Sequence, residues 1–113
     1  MPELYFNPAC SKCRSALALL DERGVQADVV HYLDVAPTRD DLERLLRLLG
    51  AEDPRVMMRT GETLYAELEL DSADRDGLLD ALRSHPVLLE RPIFVRGDKA
   101  VIGRPPERVL ELV

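Results

Sequence analysis

The feature that most limits the fold is a short apolar run that leads through a turn into a cysteine pair and a helix. Leu4–Phe6 is apolar and predicts a strand, and Asn7–Ala9 predicts a turn. The motif Cys-Ser-Lys-Cys occupies residues 10–13, and the helical pattern continues to Arg23. A thiol at the start of a helix faces backbone N–H groups and the positive end of the helix dipole, and both favour the thiolate. The motif therefore favours a redox or oxyanion enzyme with Cys10 as its nucleophile.

The second cysteine of the pair can react with the first or pack in the core. Cys13 follows Cys10 by three residues, a spacing that allows a disulfide between them. Cys13 lies one turn into the helix and should point inward, whereas Cys10 lies between a turn and a helix, a poor position for core packing. A zinc site needs four ligands, and His31 and His85 are far apart and lack ligand spacing. We therefore expect no metal site.

The size, charge and cysteine content of the chain narrow its class. A chain of 113 residues with 46% hydrophobic residues can bury one core, so we expect a single domain. The net charge of -6 disfavours nonspecific binding to nucleic acid. No apolar run reaches membrane-spanning length, no signal-peptide pattern is present, and two cysteines do not make a disulfide scaffold. We therefore expect a cytoplasmic protein without nucleic-acid or membrane partners.

The first third of the chain predicts a strand, a helix and a second strand. The strand is expected at Glu3–Phe6 and the helix at Ser11–Arg23. Gly24 should end this helix as a left-handed residue just past its last turn. The second strand is expected at Ala27–Leu33. The short loops favour parallel pairing of the two strands through a right-handed crossover.

The rest of the chain predicts a helical insertion, then a hairpin and a last helix. Thr38 is the expected N-cap of the first inserted helix, and Gly50 closes that helix. Further helices are predicted at Pro54–Met58, Leu64–Leu68 and Asp74–Ser84. The hairpin strands and the last helix are predicted at Pro92–Val95, Ala100–Ile102 and Pro105–Val113. The order βαβ, helices, ββα predicts an α/β, thioredoxin-like fold with a mixed four-stranded sheet, in one domain of residues 1–113 with a helical insertion at roughly 36–85.

Three arginines lie where α/β sheets gather their sites, at strand ends and in loops. Arg59 ends a short predicted helix, and Arg104 lies between a strand and the last helix. Arg91 precedes Pro92 at the mouth of a strand, where a thioredoxin-like fold has a cis proline beside its active cysteine. The planar fork of an arginine suits tetrahedral oxyanions, but the chain has 13 arginines, and a solvated surface charge is the default interpretation of any one of them taken alone.

Several short motifs follow one another along the chain from Tyr5 to Val113. They are Asn7–Cys10, Tyr32–Leu33, Met58–Arg59 with Tyr65 and Leu68, His85–Pro86, Glu90–Ile93, and Gly103–Pro106 with Val109–Leu110. Each motif is short, but their order and spacing are specific. In these motifs the chain resembles the glutaredoxin-coupled arsenate reductase (ArsC) family, in particular its small members with a CxxC motif.

The resemblance implies that Cys10 attacks arsenate and forms a thiol–arsenate adduct that arginines stabilise. We assign the catalytic residues as Cys10, Cys13, Arg59, Arg91 and Arg104, and the substrate-binding residues as Asn7, Ser11 and Pro92. Glutathione is the implied co-substrate, with glutaredoxin or thioredoxin as electron donor, and no bound cofactor is expected. Arginines and a helix N-terminus supply the positive charge that a thiolate and an oxyanion need when they meet.

Two positions differ from the better-known members of that family and leave alternatives open. Phe6 stands where those enzymes carry a histidine ahead of Asn-Pro, and Cys13 has no counterpart in them. A Cys10–Cys13 disulfide would complete the reduction without glutathione, and it also resembles thioredoxin-type chemistry. The alternatives are therefore a CxxC disulfide reductase with another substrate, or a redox-sensing protein similar to the Spx-type regulators that bind RNA polymerase.

Overall fold

The two ends of the chain build a four-stranded mixed sheet in a computed structural model that describes residues 1–113. The strands are β1 (Glu3–Tyr5), β2 (Asp28–Val30), β3 (Ile93–Arg96) and β4 (Lys99–Ile102). Their order in the sheet is β2-β1-β3-β4, with β1 parallel to β2 and antiparallel to β3, and with β3 antiparallel to β4. The predicted α/β class, the mixed sheet and the parallel first pair are confirmed.

The chain divides into two compact units. One unit contains Met1–Tyr32 and Arg91–Val113, and the other contains Leu33–Glu90. The sheet belongs to the first unit, and the second unit consists of the helices that the sequence predicts between the second and third strands. The description of residues 1–113 as a single domain stays a prediction.

The first helix, α1 (Ser11–Glu22), buries one face against the sheet unit's core. Cys13, Ala16 and Leu20 are its buried residues, and their spacing of three and four places them on one side of the helix. Gly24 follows the helix with φ of 70°, the left-handed conformation that glycine adopts without a Cβ clash. The helix thus ends at Glu22, one residue before the predicted end at Arg23.

Both cysteines belong to the core of the first unit. This core consists of Leu4, Phe6, Cys10, Cys13, Ala16, Leu20, Phe94, Val101 and Val109. Cys13 is fully buried, as its position in the helix predicts. Cys10 is only 8% exposed, which differs from the expectation of a poorly packed position. The difference arises because residues distant in sequence pack over the turn and bury the thiol. The sequence of the turn itself gives no sign of this packing.

Two predicted elements of the first unit have different bounds or geometry. β2 is shorter than the predicted Ala27–Leu33 because it is an edge strand paired with β1 alone, and β1 offers only three partners. The last helix is a 3₁₀ helix at Pro106–Leu112. Its turns close from residue i to i+3, as in the bond from the Arg108 amide to the Pro105 carbonyl at 3.0 Å.

Every regular element of the second unit is a helix, as predicted. Its α-helices are α2 (Arg39–Leu49), α3 (Thr63–Glu67) and α4 (Arg75–Ser84), and its 3₁₀ helices are Pro54–Met57, Leu70–Ser72 and Pro86–Leu88. Thr38 caps α2, because its Oγ1 accepts from the Asp41 amide at 3.1 Å and Asp41 accepts from the Thr38 amide at 2.9 Å. None of the helices combines the length and the apolar character needed to cross a membrane.

One arginine connects several segments of the second unit. The Nε of Arg55 donates to the Tyr65 hydroxyl at 3.0 Å. Its Nη2 donates to the carbonyls of Leu70, Asp71 and Ala73 at 2.8 to 3.1 Å. A guanidinium can satisfy several carbonyls at once because its donors form a rigid fork. Arg55 therefore stabilises the loop between α3 and α4, which accounts for its position without a catalytic role.

Candidate active site

The turn between β1 and α1 presents Cys10 at the helix N-cap. The Cys10 backbone is extended there, with φ of -97° and ψ of 119°. Its amide donates to the Asn7 carbonyl at 3.0 Å, and the Asn7 side-chain oxygen accepts from the Ala9 amide at 3.0 Å. The Arg14 guanidinium also donates to the Pro8 carbonyl at 2.8 Å. These bonds hold the turn, so Asn7 shapes the backbone that carries the thiol.

The Cys10 thiol is more acidic than an ordinary cysteine. Burial raises its pKa, but the Cys13 amide and thiol, the Lys12 amide and the Arg91 side chain outweigh burial and lower the pKa from 9.0 to about 7. The sulfur makes no side-chain cap hydrogen bond of the kind that a serine oxygen makes at this position. The amides at the helix start instead favour negative charge on the sulfur. At neutral pH about half of the Cys10 thiols are therefore ionised.

The Cys13 thiol behaves in the opposite way. Burial raises its pKa; the Asn7 amide lowers it, but the neighbouring Cys10 sulfur raises it further, and the result is about 11. Cys13 therefore keeps its proton at neutral pH and donates it in a hydrogen bond to the Cys10 sulfur. Both cysteines are free thiols in the structure. The pair thus consists of one nucleophilic sulfur and one protonated, shielded sulfur.

Two of the three predicted arginines lie beside Cys10. The Nη2 of Arg104 lies 3.8 Å from the Cys10 sulfur, and the Nε of Arg104 donates to the Arg91 carbonyl at 2.8 Å. The Arg91 side chain is a further group that lowers the pKa of Cys10. Both arginines are partly buried, so water screens their charges less than at an open surface. A thiolate, two guanidiniums and helix amides at one place can bind an anion and attack it.

The backbone beside the arginines is closely packed. The Arg91–Pro92 peptide bond is cis, as in the thioredoxin-like folds on which the expectation rests, and the Arg104–Pro105 bond is cis as well. The Gly103 amide donates to the Pro92 carbonyl at 2.8 Å. Gly103 begins the Gly103–Pro106 motif but was not among the predicted site residues. A glycine at the end of a strand, here β4, often marks a close approach of another backbone, and this signal would have identified the position.

The remaining predicted site residues have clear local positions. Ser11 is exposed as the first residue of α1, and Pro92 is buried. Arg59 belongs to the second unit, where its amide donates to the Leu88 carbonyl at 2.7 Å and its Nη1 lies 2.9 Å from the Glu62 carboxylate. Its predicted role at Cys10 stays a prediction.

The ring of His31 packs edge-on against Phe6, with ring centroids 6.2 Å apart. Phe6 is the residue that stands where the resembled reductases carry a histidine. His31 is exposed, and it is not among the groups that shift the pKa of Cys10. No group of three or more His, Cys, Asp and Glu side chains is arranged to hold a metal ion.

Proteins of known family resemble this chain along nearly its whole length. The ArsC family model matches residues 5–112. An arsenate reductase of Neisseria meningitidis serogroup A is 49% identical, over 96% of this chain and 97% of the relative. An arsenate reductase of Haemophilus influenzae is 46% identical, over 97% of each chain. The solved structure of an arsenate reductase from Vibrio cholerae superposes with a TM-score of 0.95 at 45% identity, over 99% of this chain and 97% of that chain.

These similarities confirm the predicted thioredoxin-like fold and the resemblance from which the site was assigned. An arsenate reductase of Escherichia coli is more distant, at 37% identity over 97% of this chain and 79% of the relative. The family match and the identities extend over the sheet unit and the helical unit alike. This chain belongs to the ArsC family.

Proposed function

We propose that this protein is a thiol-dependent oxidoreductase that reduces arsenate, with Cys10 as the nucleophile. The observation that carries the proposal is the Cys10 sulfur, which has a pKa of about 7 and lies 3.8 Å from the Arg104 guanidinium. Named relatives over nearly the full chain are arsenate reductases. A nucleophile that is half ionised at neutral pH beside two cations fits attack on an anionic substrate.

The arginines would bind the substrate oxygens and reduce the repulsion between two negative groups. A guanidinium offers donors in a fork that matches two oxygens of a tetrahedral oxyanion. Arg91 and Arg104 are the two such groups beside Cys10. We assign Arg59 as a third on the family resemblance alone. Asn7 would support this site through the turn, while Ser11 and Pro92 would border the bound oxyanion.

The first chemical step would join the Cys10 sulfur to arsenic. The thiolate attacks arsenic, one arsenate oxygen takes up protons and leaves as water, and a sulfur–arsenic bond forms. Arsenic is still in its higher oxidation state at this point. Negative charge on the remaining oxygens increases during attack, and the guanidiniums would stabilise it.

The second step would transfer two electrons to arsenic. Another thiol attacks the Cys10 sulfur, a sulfur–sulfur bond forms, and arsenic leaves with the electron pair of the sulfur–arsenic bond as arsenite. Two thiols are thereby oxidised to one disulfide. We propose glutathione as this second thiol, with glutaredoxin reducing the resulting mixed disulfide. If Cys13 attacks instead, a Cys10–Cys13 disulfide forms, and thioredoxin would reduce it.

A reaction of this kind consumes reduced thiols. The cytoplasm keeps glutathione and thioredoxin reduced, so it is the compartment that fits the proposal. The second candidate function, a CxxC disulfide reductase with another substrate, is favoured by one observation. The Cys13 thiol acts directly on the Cys10 sulfur and lowers its pKa, as expected for a pair that can close a disulfide.

The test is formation of arsenite from arsenate with two electron-donor systems in parallel. One reaction contains glutathione, glutaredoxin and glutathione reductase, and the other contains thioredoxin and its reductase. We expect turnover with at least one system, loss of turnover in Cys10→Ser, and normal turnover in Arg47→Lys, a change at an exposed arginine of the second unit.

Absence of turnover with both systems would contradict the proposal. Reduction of a protein disulfide such as insulin would then support the disulfide reductase. Binding to RNA polymerase without turnover of either substrate would instead support a redox-sensing protein.

A further inference from the structure

Gly103 occupies a position where the structure leaves no space for a side chain. A Cβ atom built at this glycine would lie 2.8 Å from the Pro92 Cγ and 3.0 Å from a Val109 methyl carbon. Both distances are shorter than an ordinary van der Waals contact, and the one to Pro92 is so short that Pro92 or the backbone of residue 103 would have to move. Gly103 does not have a left-handed backbone conformation, since the positive-φ glycines are Gly24, Gly50 and Gly97. The requirement for glycine here is therefore one of space.

Neither neighbour of Gly103 can move without cost. Val109 is fully buried in the core of the sheet unit, together with Cys10 and Cys13. Pro92 is also buried, and its ring has no flexible end that could turn away. The Gly103 amide donates to the Pro92 carbonyl at 2.8 Å, which holds the two backbones together. An added methyl group would therefore push against a closely held pair.

The residues next to this contact are the two arginines beside Cys10. Arg91 precedes Pro92, and Arg104 follows Gly103. A second hydrogen bond, from the Arg104 Nε to the Arg91 carbonyl at 2.8 Å, runs beside the first. The segment Arg91–Pro92 and the segment Gly103–Arg104 are thus joined by two hydrogen bonds and by the packing of the Pro92 ring against Gly103. A shift of Pro92 would move the backbone of Arg91, and with it the Arg91 carbonyl that accepts from Arg104.

We infer that Gly103 is a positioning residue: the absence of a side chain lets Pro92 pack against it, and this packing holds Arg91 and Arg104 beside Cys10. The inference rests on the proposed function, because it concerns the arginines assigned to oxyanion binding. It predicts that a single methyl group at residue 103 raises the pKa of the Cys10 thiol and lowers the affinity for the anion, although the methyl group contacts neither.

The test is the pH dependence of Cys10 alkylation in Gly103→Ala, with the modified cysteine identified by mass spectrometry. We expect the midpoint to rise by about one pH unit, the effect of losing one hydrogen bond to a charged group. Alkylation at pH 7 should then fall about fivefold. Isothermal titration with arsenate should show weaker binding in the same variant. An unchanged midpoint would overturn the inference.

Two controls separate positioning from loss of stability. Gly61→Ala adds a methyl group where nothing lies within 4 Å, and its midpoint should equal that of the wild type. Val109→Ala removes core volume without adding a group at residue 103, so it should lower stability and leave the midpoint unchanged. A raised midpoint in Val109→Ala would contradict the inference, because general loosening of the core would then explain the effect.

A double variant covers the case in which Gly103→Ala does not fold. Gly103→Ala with Val109→Ala removes one of the two close contacts and keeps the one with Pro92, so it should fold and show a raised midpoint. Failure of both variants to fold would overturn the inference, since Gly103 would then be a requirement of the core alone. The alkylation measurement uses no arsenate, so a wild type that fails to reduce arsenate would refute the proposed function and not this result.

Discussion

Arg104 follows Cys10 by 94 residues in the sequence, yet its Nη2 lies 3.8 Å from the Cys10 sulfur. The same guanidinium donates to the Arg91 carbonyl, so one side chain connects the nucleophile to the second arginine beside it. A thiol placed only at a helix N-terminus would have one source of positive charge. The arrangement here adds two cations from the hairpin end of the sheet.

Cys10 should react faster than Cys13 at neutral pH. Cys10 has a pKa of about 7 and Cys13 a pKa of about 11, so only Cys10 is substantially ionised at pH 7. Alkylation rates of Cys13→Ser, which keeps Cys10, and of Cys10→Ser, which keeps Cys13, measure the two thiols separately. Faster reaction of Cys13 at pH 7 would reverse the assignment of the nucleophile.

The lowered pKa of Cys10 should make stability depend on pH in a defined direction. The folded protein ionises this thiol near pH 7, whereas an unfolded chain ionises it near 9.0. The folded state therefore binds fewer protons between these values, and the contribution is complete above pH 9 and lost as pH falls through 7. Relative to Cys10→Ser, the wild-type free energy of unfolding should rise by about 2 kcal/mol across this window.

Urea unfolding of both proteins at about pH 6 and about pH 9, with a reductant present, measures this difference. Cys13 has the opposite sign, because its raised pKa favours the folded state below pH 9 and the advantage is lost toward pH 11. Keeping the upper pH at about 9 limits that contribution. An equal pH dependence in wild type and Cys10→Ser would contradict the predicted shift.

Mild oxidation should join Cys10 and Cys13 within one molecule. Their spacing at the helix start allows the bond, and a hydrogen bond from the Cys13 thiol already lowers the pKa of the Cys10 thiol. Mass spectrometry after treatment with diamide should show a monomer that has lost two hydrogen atoms, and Cys13→Ser should not form this species. Intermolecular dimers or glutathione adducts alone would instead assign Cys13 to core packing.

Changing Arg91 or Arg104 to lysine should weaken oxyanion binding. Lysine keeps the charge but loses the fork of donors, and one hydrogen bond to a charged group is worth about 1.5–3 kcal/mol, or roughly tenfold or more in affinity. Isothermal titration with arsenate or sulfate measures the change. Arg47→Lys is the matched control, because Arg47 is exposed in the second unit. Equal effects at Arg47 and Arg91 would reduce the site to ordinary surface charge.

The same titration on Arg59→Lys tests the residue assigned from the family resemblance. The expected result is a loss similar to that of Arg91→Lys, since both are assigned to the same oxyanion. The Arg59 ion pair with Glu62 provides an internal check, because Glu62→Gln removes that pair and keeps the arginine. A loss in Glu62→Gln that equals the loss in Arg59→Lys would assign Arg59 a structural role.

The sequence predicted well where a feature depends on neighbouring residues. Thr38 and Asp41 form the cap of α2, and Gly24 and Gly50 end their helices in the left-handed conformation. Capping depends on residues within one helical turn, so its signals are local. The two short 3₁₀ helices of the second unit at Leu70–Ser72 and Pro86–Leu88 were not predicted, since segments of three residues lack a periodic pattern.

By itself, the sequence determined that a cysteine pair begins a helix after a strand, because turn and helix signals act within a few residues. Only the tertiary structure decided that Cys10 is almost completely buried, that Arg91 and Arg104 lie beside it, and that Gly103 has no space for a methyl group. The physical reason is that burial, screening and close packing depend on which distant segments meet. Here the hairpin end of the chain folds back onto the first helix. It supplies both the positive charge beside the thiol and part of the core that buries the thiol.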